Sequence, residues 1–140
     1  MNSMIFTNRQ GNVAEKEGLL EIPENVLSEL SKEEFAKQLQ ENQGLFIVKF
    51  GAEWCGPCKK VDPLIYEYFA RIQGPNIQCA IIDIDESFEL YAFLKSKKMV
   101  NGVPVILAYR KGNISFIPDD VIVGADEKQI HLFFKRCLTQ

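Results

Sequence analysis

The sequence has no long apolar run, a single histidine and no excess of basic residues. No stretch approaches the roughly 20 apolar residues that a membrane-crossing helix requires. The N-terminal apolar run from Met4 to Phe6 is too short for the hydrophobic region of a signal peptide. We therefore expect a protein without a membrane partner that resides in the cytoplasm, where cysteines are kept reduced.

The charge balance also limits the classes of partner. Sixteen basic and nineteen acidic residues give a net charge of −3, and no basic stripe of the kind that binds nucleic acid is present. The 140 residues are 46% apolar, which is typical of one domain with an ordinary hydrophobic core. We expect a monomer that does not bind nucleic acid.

The four cysteines include one close pair, Cys55 and Cys58. A structural zinc site takes four cysteine or histidine ligands, and Cys79, Cys137 and His131 lie in no second metal-binding spacing. No metal site is therefore predicted. In a reducing compartment, a close pair indicates redox chemistry rather than a structural disulfide. Cys79 and Cys137 lie within apolar patterns, so we interpret them as core residues, and His131 as a surface residue.

Hydrophobic periodicity divides the chain at about residue 24. Residues 1–24 have no sustained period and are interpreted as an N-terminal extension, whereas residues 25–140 alternate short apolar runs with helical patterns. The predicted order of elements is βαβαβαββα, which indicates an α/β domain with a mixed sheet and helices on both faces.

Individual elements follow from turns and capping residues. Capping by Ser31, Ser87 and Asp126 predicts the starts of three helices, and a further helix begins near Cys58 and contains Pro63. The strands after the first helix are predicted at Leu45–Phe50, Ile77–Ile84, Val103–Tyr109 and, after a turn at residues 111–113, Ile114–Ile117, with a possible resumption at Val121.

The cysteine pair falls at the junction of a predicted strand and helix. Two intervening residues allow the sulfurs to close a small disulfide at a helix start, where backbone N–H groups and the helix dipole favour a thiolate. We expect Cys55 to be exposed and to attack a substrate disulfide, and Cys58 to be shielded and to resolve the mixed disulfide. Pro57 suits the first helical turn because it lacks an N–H.

Several motifs follow one another along the chain from Leu27 onward. They are Phe50-Gly51-Ala52-Glu53-Trp54-Cys55-Gly56-Pro57-Cys58-Lys59, Pro63, Gly102-Val103-Pro104, Lys111-Gly112 and Val123-Gly124. In this order they resemble the thioredoxin family over about four-fifths of the chain. The resemblance implies the thioredoxin fold, with a mixed five-stranded sheet of three parallel and two antiparallel strands flanked by four helices.

The same resemblance implies a client-binding groove. Pro104 is expected to be a cis-proline opposite Cys55, and the backbone of Val103 to offer β-like hydrogen bonds to an extended client. Trp54 is expected to contact partners as readily as it packs.

The resemblance also implies a thiol-disulfide oxidoreductase of the reducing type, because Gly56 and Pro57 are the residues that reducing members usually carry between the cysteines. No bound cofactor is expected beyond the redox-active disulfide Cys55–Cys58. The implied partners are disulfide-containing client proteins and a separate thioredoxin reductase or other thiol donor, since the chain has no flavin or nucleotide motif.

The chain departs from the family beneath the cysteine pair. Lys49 stands where the family commonly has a buried aspartate, and Ile81 stands where it often has a lysine on the neighbouring strand. A buried lysine without a partner is costly, so we hypothesise that Lys49 pairs with Asp83 and tunes the thiol together with Lys59.

A second class of function is a binding or assembly module. Such a module would use the groove around Trp54 and Pro104 as a docking surface, and its dithiol would be dispensable.

Overall fold

The computed structural model describes residues 20–139. Most of the predicted extension therefore lies outside the described residues, and the boundary at residue 24 stays a prediction. Within residues 20–139 the elements are α1 (Lys32–Glu41), β1 (Leu45–Gly51), α2 (Gly56–Ile72), β2 (Ile77–Asp83), α3 (Phe88–Ser96), β3 (Val105–Arg110), β4 (Asp120–Val123) and α4 (Glu127–Leu138). No helix in this part of the chain is long and apolar enough to cross a membrane.

The sheet has four strands in the order β2-β1-β3-β4, so the expectation of five strands is wrong. Strands β1 and β2 are parallel, while β3 runs antiparallel to both β1 and β4. The segment expected to form the first strand makes only a single bridge, between Leu27 and Ala80. A turn at Asn25, whose φ is +67°, precedes the bridge, and the cap of α1 follows it at Ser31, which leaves no length for a ladder.

The returning strand forms only where the resumption was predicted, because β4 contains Val121, whereas residues 114–117 form no strand. Local side-chain bonds hold residues 113–117 in a loop, because Oδ1 of Asn113 accepts hydrogen bonds from both N and Oγ of Ser115. Pro118 follows, and proline has no N–H to donate to a ladder.

Helix starts agree with the capping residues. Ser31 and Glu34 form a reciprocal capping box, and Oδ1 of Asp126 accepts from the N–H groups of Lys128 and Gln129. Ser87 occupies the N-cap position of α3, but its hydroxyl accepts a hydrogen bond from the N–H of Leu30 instead of capping the helix.

Two apolar layers cover the faces of the sheet, as the mixed-sheet prediction required. Helices α1 and α3 bury Phe35, Leu39, Leu90 and Leu94 on one face, and helices α2 and α4 pack on the other. Every residue of the central strand β1 is buried. Alternation along β1 places Phe50 with the first layer and Lys49 on the side of α2, directly beneath the start of that helix.

Candidate active site

The cysteine pair forms a disulfide at the N-terminus of α2. Cys55 is the N-cap residue, and its Sγ accepts a hydrogen bond of 3.1 Å from the backbone N–H of Cys58. Strand β1 ends at Gly51, so the tight connection from the sheet to the helix delivers both sulfurs to one end of the sheet. When the pair is reduced, this N–H and the helix dipole would stabilise a negative charge on Cys55.

Both cysteines are buried, and the expectation that Cys55 is exposed is wrong for the oxidised protein. Cys55 is 3% exposed and Cys58 is 0% exposed. Cys55 is covered because its Sγ lies 3.9 Å from the carbonyl oxygen of Val103, on the loop that faces the helix start. Trp54 is 67% exposed beside the disulfide, which places its ring where a partner could touch it.

The loop opposite Cys55 contains a cis peptide bond between Val103 and Pro104, as the resemblance implied. Pro104 is buried, and its carbonyl accepts a hydrogen bond from the N–H of Gly124. The phenol of Tyr91 in α3 also holds this loop, because it donates to the carbonyl of Gly102 and accepts from the N–H of the same residue. Gly102 has a φ of +94°, a conformation that favours glycine.

Trp54 is oriented by an acidic residue that the sequence analysis did not single out. Its Nε1–H donates a 2.9 Å hydrogen bond to Oδ2 of Asp85. Asp85 lies just beyond β2, where its own N–H donates to Oδ1 of Asp83. The sequence signal was weak, because a short acidic run after a strand more often forms a solvated turn.

Lys49 is buried and ion-paired, but its partner is Asp62 and not Asp83. Lys49 Nζ lies 2.7 Å from Oδ1 of Asp62, and the two side chains are 4% and 17% exposed. Among the described residues, the buried Oδ1 atom accepts no further hydrogen bond.

The register of the strands explains why Asp83 is not the partner of Lys49. Lys49 is aligned with Ile81 on β2, whereas Asp83 is aligned with Gly51 and accepts a hydrogen bond from the turn that follows it. Asp62 lies four residues after Cys58 and therefore on the same face of α2. This i, i+4 relation to a cysteine was the signal in the sequence that could have identified Asp62.

Gly51 makes room for the lysine. A Cβ placed on Gly51 would lie 2.4 Å from Lys49 Nζ and 3.5 Å from Cys58 Sγ. The ammonium thus occupies the space that a side chain at residue 51 would fill. Lys59, in contrast, is exposed in the first turn of α2, as are Gly56 and Pro57.

A family model described as thioredoxin matches residues 26–136. The chain belongs to the thioredoxin family.

Two thioredoxins from other organisms align with 75% and 64% of this chain. The mitochondrial thioredoxin of Mus musculus is 30% identical over 106 residues, which are 75% of this chain and 58% of that protein. The chain thus aligns with less than two-thirds of that relative's length. The thioredoxin of Rhodospirillum rubrum is 30% identical over 89 residues, 64% of this chain and 81% of the relative.

A solved structure shares the fold. The thioredoxin of Fasciola hepatica superposes with a TM-score of 0.64 at 26% identity, covering 80% of this chain and 99% of that one.

The remaining thioredoxin-domain cysteines are buried free thiols, as expected for core residues. Burial raises the pKa of Cys79 to about 12, and burial together with the charge of Asp120 raises the pKa of Cys137 to about 11. Both thiols therefore stay protonated at neutral pH. His131 is exposed and contacts the hydroxyl of Tyr68. No cluster of metal-binding side chains occurs within residues 20–139.

The contact between Tyr91 and Gly102 predicts a measurable change in stability. Tyr91→Phe removes both hydrogen bonds to the cis-proline loop and should lower the free energy of unfolding by about 1 kcal/mol. Urea unfolding measures this change. Tyr68→Phe removes a hydroxyl that contacts the exposed His131 and not the loop, and it is the matched control for the loss of one phenol hydroxyl. An equal loss in the two variants would contradict a special role of Tyr91 in holding the loop.

Proposed function

We propose that the chain is a thiol-disulfide oxidoreductase that reduces protein disulfides in the manner of a thioredoxin. The observation that carries this proposal is the Cys55–Cys58 disulfide at the start of α2, with Cys55 Sγ facing both a backbone N–H and the carbonyl of Val103. A structural disulfide needs neither the helix N-terminus nor the cis-proline loop. A thiol that alternates between thiolate and disulfide uses both.

In the first step, the thiolate of Cys55 attacks one sulfur of a client disulfide. A bond forms between Cys55 and that sulfur, the client's own S–S bond breaks, and the second client sulfur leaves as a thiolate that takes a proton from solvent. The client backbone would run along Val103, whose carbonyl lies beside the reacting sulfur. Trp54, held by Asp85, would contact the client next to the reacting sulfur.

In the second step, Cys58 loses its proton to solvent and its thiolate attacks Cys55. The Cys55–Cys58 bond forms, and the bond between Cys55 and the client breaks. The client's first sulfur leaves as a thiolate and is protonated. The client disulfide has then gained two electrons, and the cysteine pair has lost two.

Regeneration requires two electrons from outside the chain. We propose that a separate thioredoxin reductase or another thiol donor supplies them. We propose that the protein works in a reducing compartment, where its client disulfides would be reduced. The sequence predicts the cytoplasm, and one relative is a mitochondrial thioredoxin.

Reduction of insulin by dithiothreitol tests the function. The wild-type protein should accelerate precipitation of the insulin B chain, and Cys55→Ser should return the rate to that of dithiothreitol alone. Cys137→Ser, in α4 and remote from the disulfide, should keep the wild-type rate and controls for the loss of any thiol. Equal rates for wild type and Cys55→Ser would reject the redox function and favour the binding module.

A further inference from the structure

Lys49 is a buried charge on the central strand that pairs with a carboxylate and lies near the resolving cysteine. Its side chain is 4% exposed, and its Nζ lies 2.7 Å from Oδ1 of Asp62. Burial of such a pair costs desolvation energy that an apolar pair of the same volume avoids. Packing alone therefore does not explain a lysine at this position.

The distance from the ammonium to Cys58 is bounded by the geometry at Gly51. The Cβ position built on Gly51 is 2.4 Å from Lys49 Nζ and 3.5 Å from Cys58 Sγ. Because both distances start from one point, Nζ and Sγ cannot be farther apart than their sum. At this range, in a site with a 0% exposed sulfur, an ammonium strongly favours the charged form of a thiol.

We propose that Lys49 is a positioning residue of the resolving step, whose ammonium, held in place by Asp62, stabilises the thiolate of Cys58. The inference rests on the proposed function, because it assigns a role within the second step of disulfide reduction. A lysine ammonium carries no lone pair, so it does not remove the proton from Cys58. The proton goes to solvent, and the ammonium lowers the free energy of the thiolate that remains.

Other titratable groups face the same space. Lys49 forms part of the wall of a cleft of about 720 Å³, and the titratable side chains that also line this cleft are Glu53, Lys59, Asp62, Tyr66, Asp83 and Glu86. Burial and the charge of Asp62 raise the pKa of Tyr66 to about 12, so its phenol stays neutral through the working range. Asp62 would oppose a thiolate on its own, and Lys49 is the cation in contact with it.

Titration of Cys58 tests the proposal directly. In a Cys55→Ser background, the NMR chemical shift of the Cβ carbon of Cys58 reports the ionisation of that thiol separately from the buried thiols of Cys79 and Cys137. Lys49→Met should raise the midpoint of this titration by about 1 to 2 pH units, since a positive charge within about 6 Å of the sulfur is removed and Asp62 keeps its negative charge nearby. Lys37→Met, which removes an exposed lysine in α1, should leave the midpoint unchanged.

A second variant keeps the test valid if Lys49→Met fails to fold. Lys49→Met/Asp62→Asn removes both charges and so leaves no buried carboxylate without a partner. Its midpoint should also lie above that of the wild-type background, but below that of Lys49→Met. A purely structural lysine would change the melting temperature and leave the midpoint of Cys58 where it was, and that result in either folded variant would overturn the proposal.

The two proposals fail in different measurements. If wild-type protein does not reduce insulin, the proposed function fails. The titration midpoint of Cys58 still shows whether Lys49 stabilises the thiolate. If insulin is reduced and the midpoint does not move, only the role of Lys49 fails. If both hold, the pH profile of insulin reduction should shift upward in Lys49→Met as the resolving step becomes limiting.

Discussion

Replacing Cys58 by serine is expected to convert the protein from a catalyst into a trap for its clients. Cys55 can still attack a client disulfide, but no thiolate is left to break the resulting bond. Turnover of insulin should fall to the rate of dithiothreitol alone. Mixed disulfides should accumulate and appear as higher-mass bands on non-reducing gels, which disappear when the sample is reduced.

The control for the trap is the double variant Cys55→Ser/Cys58→Ser. It retains Cys79 and Cys137, which are buried and have raised pKa values, so it should capture no client. Capture by the double variant would show that another cysteine reacts. Turnover at the wild-type rate in Cys58→Ser would contradict the two-step mechanism.

Adding a methyl group to Gly51 is expected to displace Lys49 from its ion pair. The new Cβ would lie 2.4 Å from Nζ, closer than these atoms can pack, and 3.1 Å from Cε, so the end of the lysine side chain would have to move. Moving the ammonium away leaves the buried Oδ1 of Asp62 without compensation. Since breaking one side of a buried ion pair is strongly destabilising, Gly51→Ala should lower the free energy of unfolding by about 2 to 4 kcal/mol.

The same substitution in a Lys49→Met background gives the matched measurement. Methionine carries no charge to displace, so adding the methyl group should cost at least 1 kcal/mol less there, a coupling that a double-mutant cycle by urea unfolding resolves. Equal costs in the two backgrounds would show that Gly51 is required for a reason other than the lysine.

Features that depend on neighbouring residues could be predicted from the sequence. Each of these features depends on residues no more than four positions apart. They are the capping box at Ser31 and Glu34, the cap at Asp126 and the disulfide at the start of a helix. The family followed from several such motifs in a fixed order. The cis bond before Pro104 was implied by that resemblance and is present in the structure.

Contacts between distant segments were predicted less well. Asp83 was the expected partner of Lys49 because it lies on the neighbouring strand, but register places it beside Gly51. Asp62 reaches Lys49 because α2 packs against this face of β1. The i, i+4 spacing placed Asp62 on the face of Cys58, but no pattern in the sequence showed that this face lies against Lys49. The missing fifth strand has the same origin, since the length of a ladder depends on how long two segments run side by side.

The sequence by itself determined the cysteine pair, the family, the four helices and the alternation that turns Lys49 toward α2, because each depends on spacing along the chain. Only the tertiary structure decided that the Val103 loop covers Cys55 and that Asp85 accepts a hydrogen bond from Trp54. It also decided that the carboxylate of Asp62 balances the charge of Lys49 near Cys58. The physical reason is that burial and charge pairing are properties of packed surfaces, and those surfaces form only when segments far apart in the chain meet.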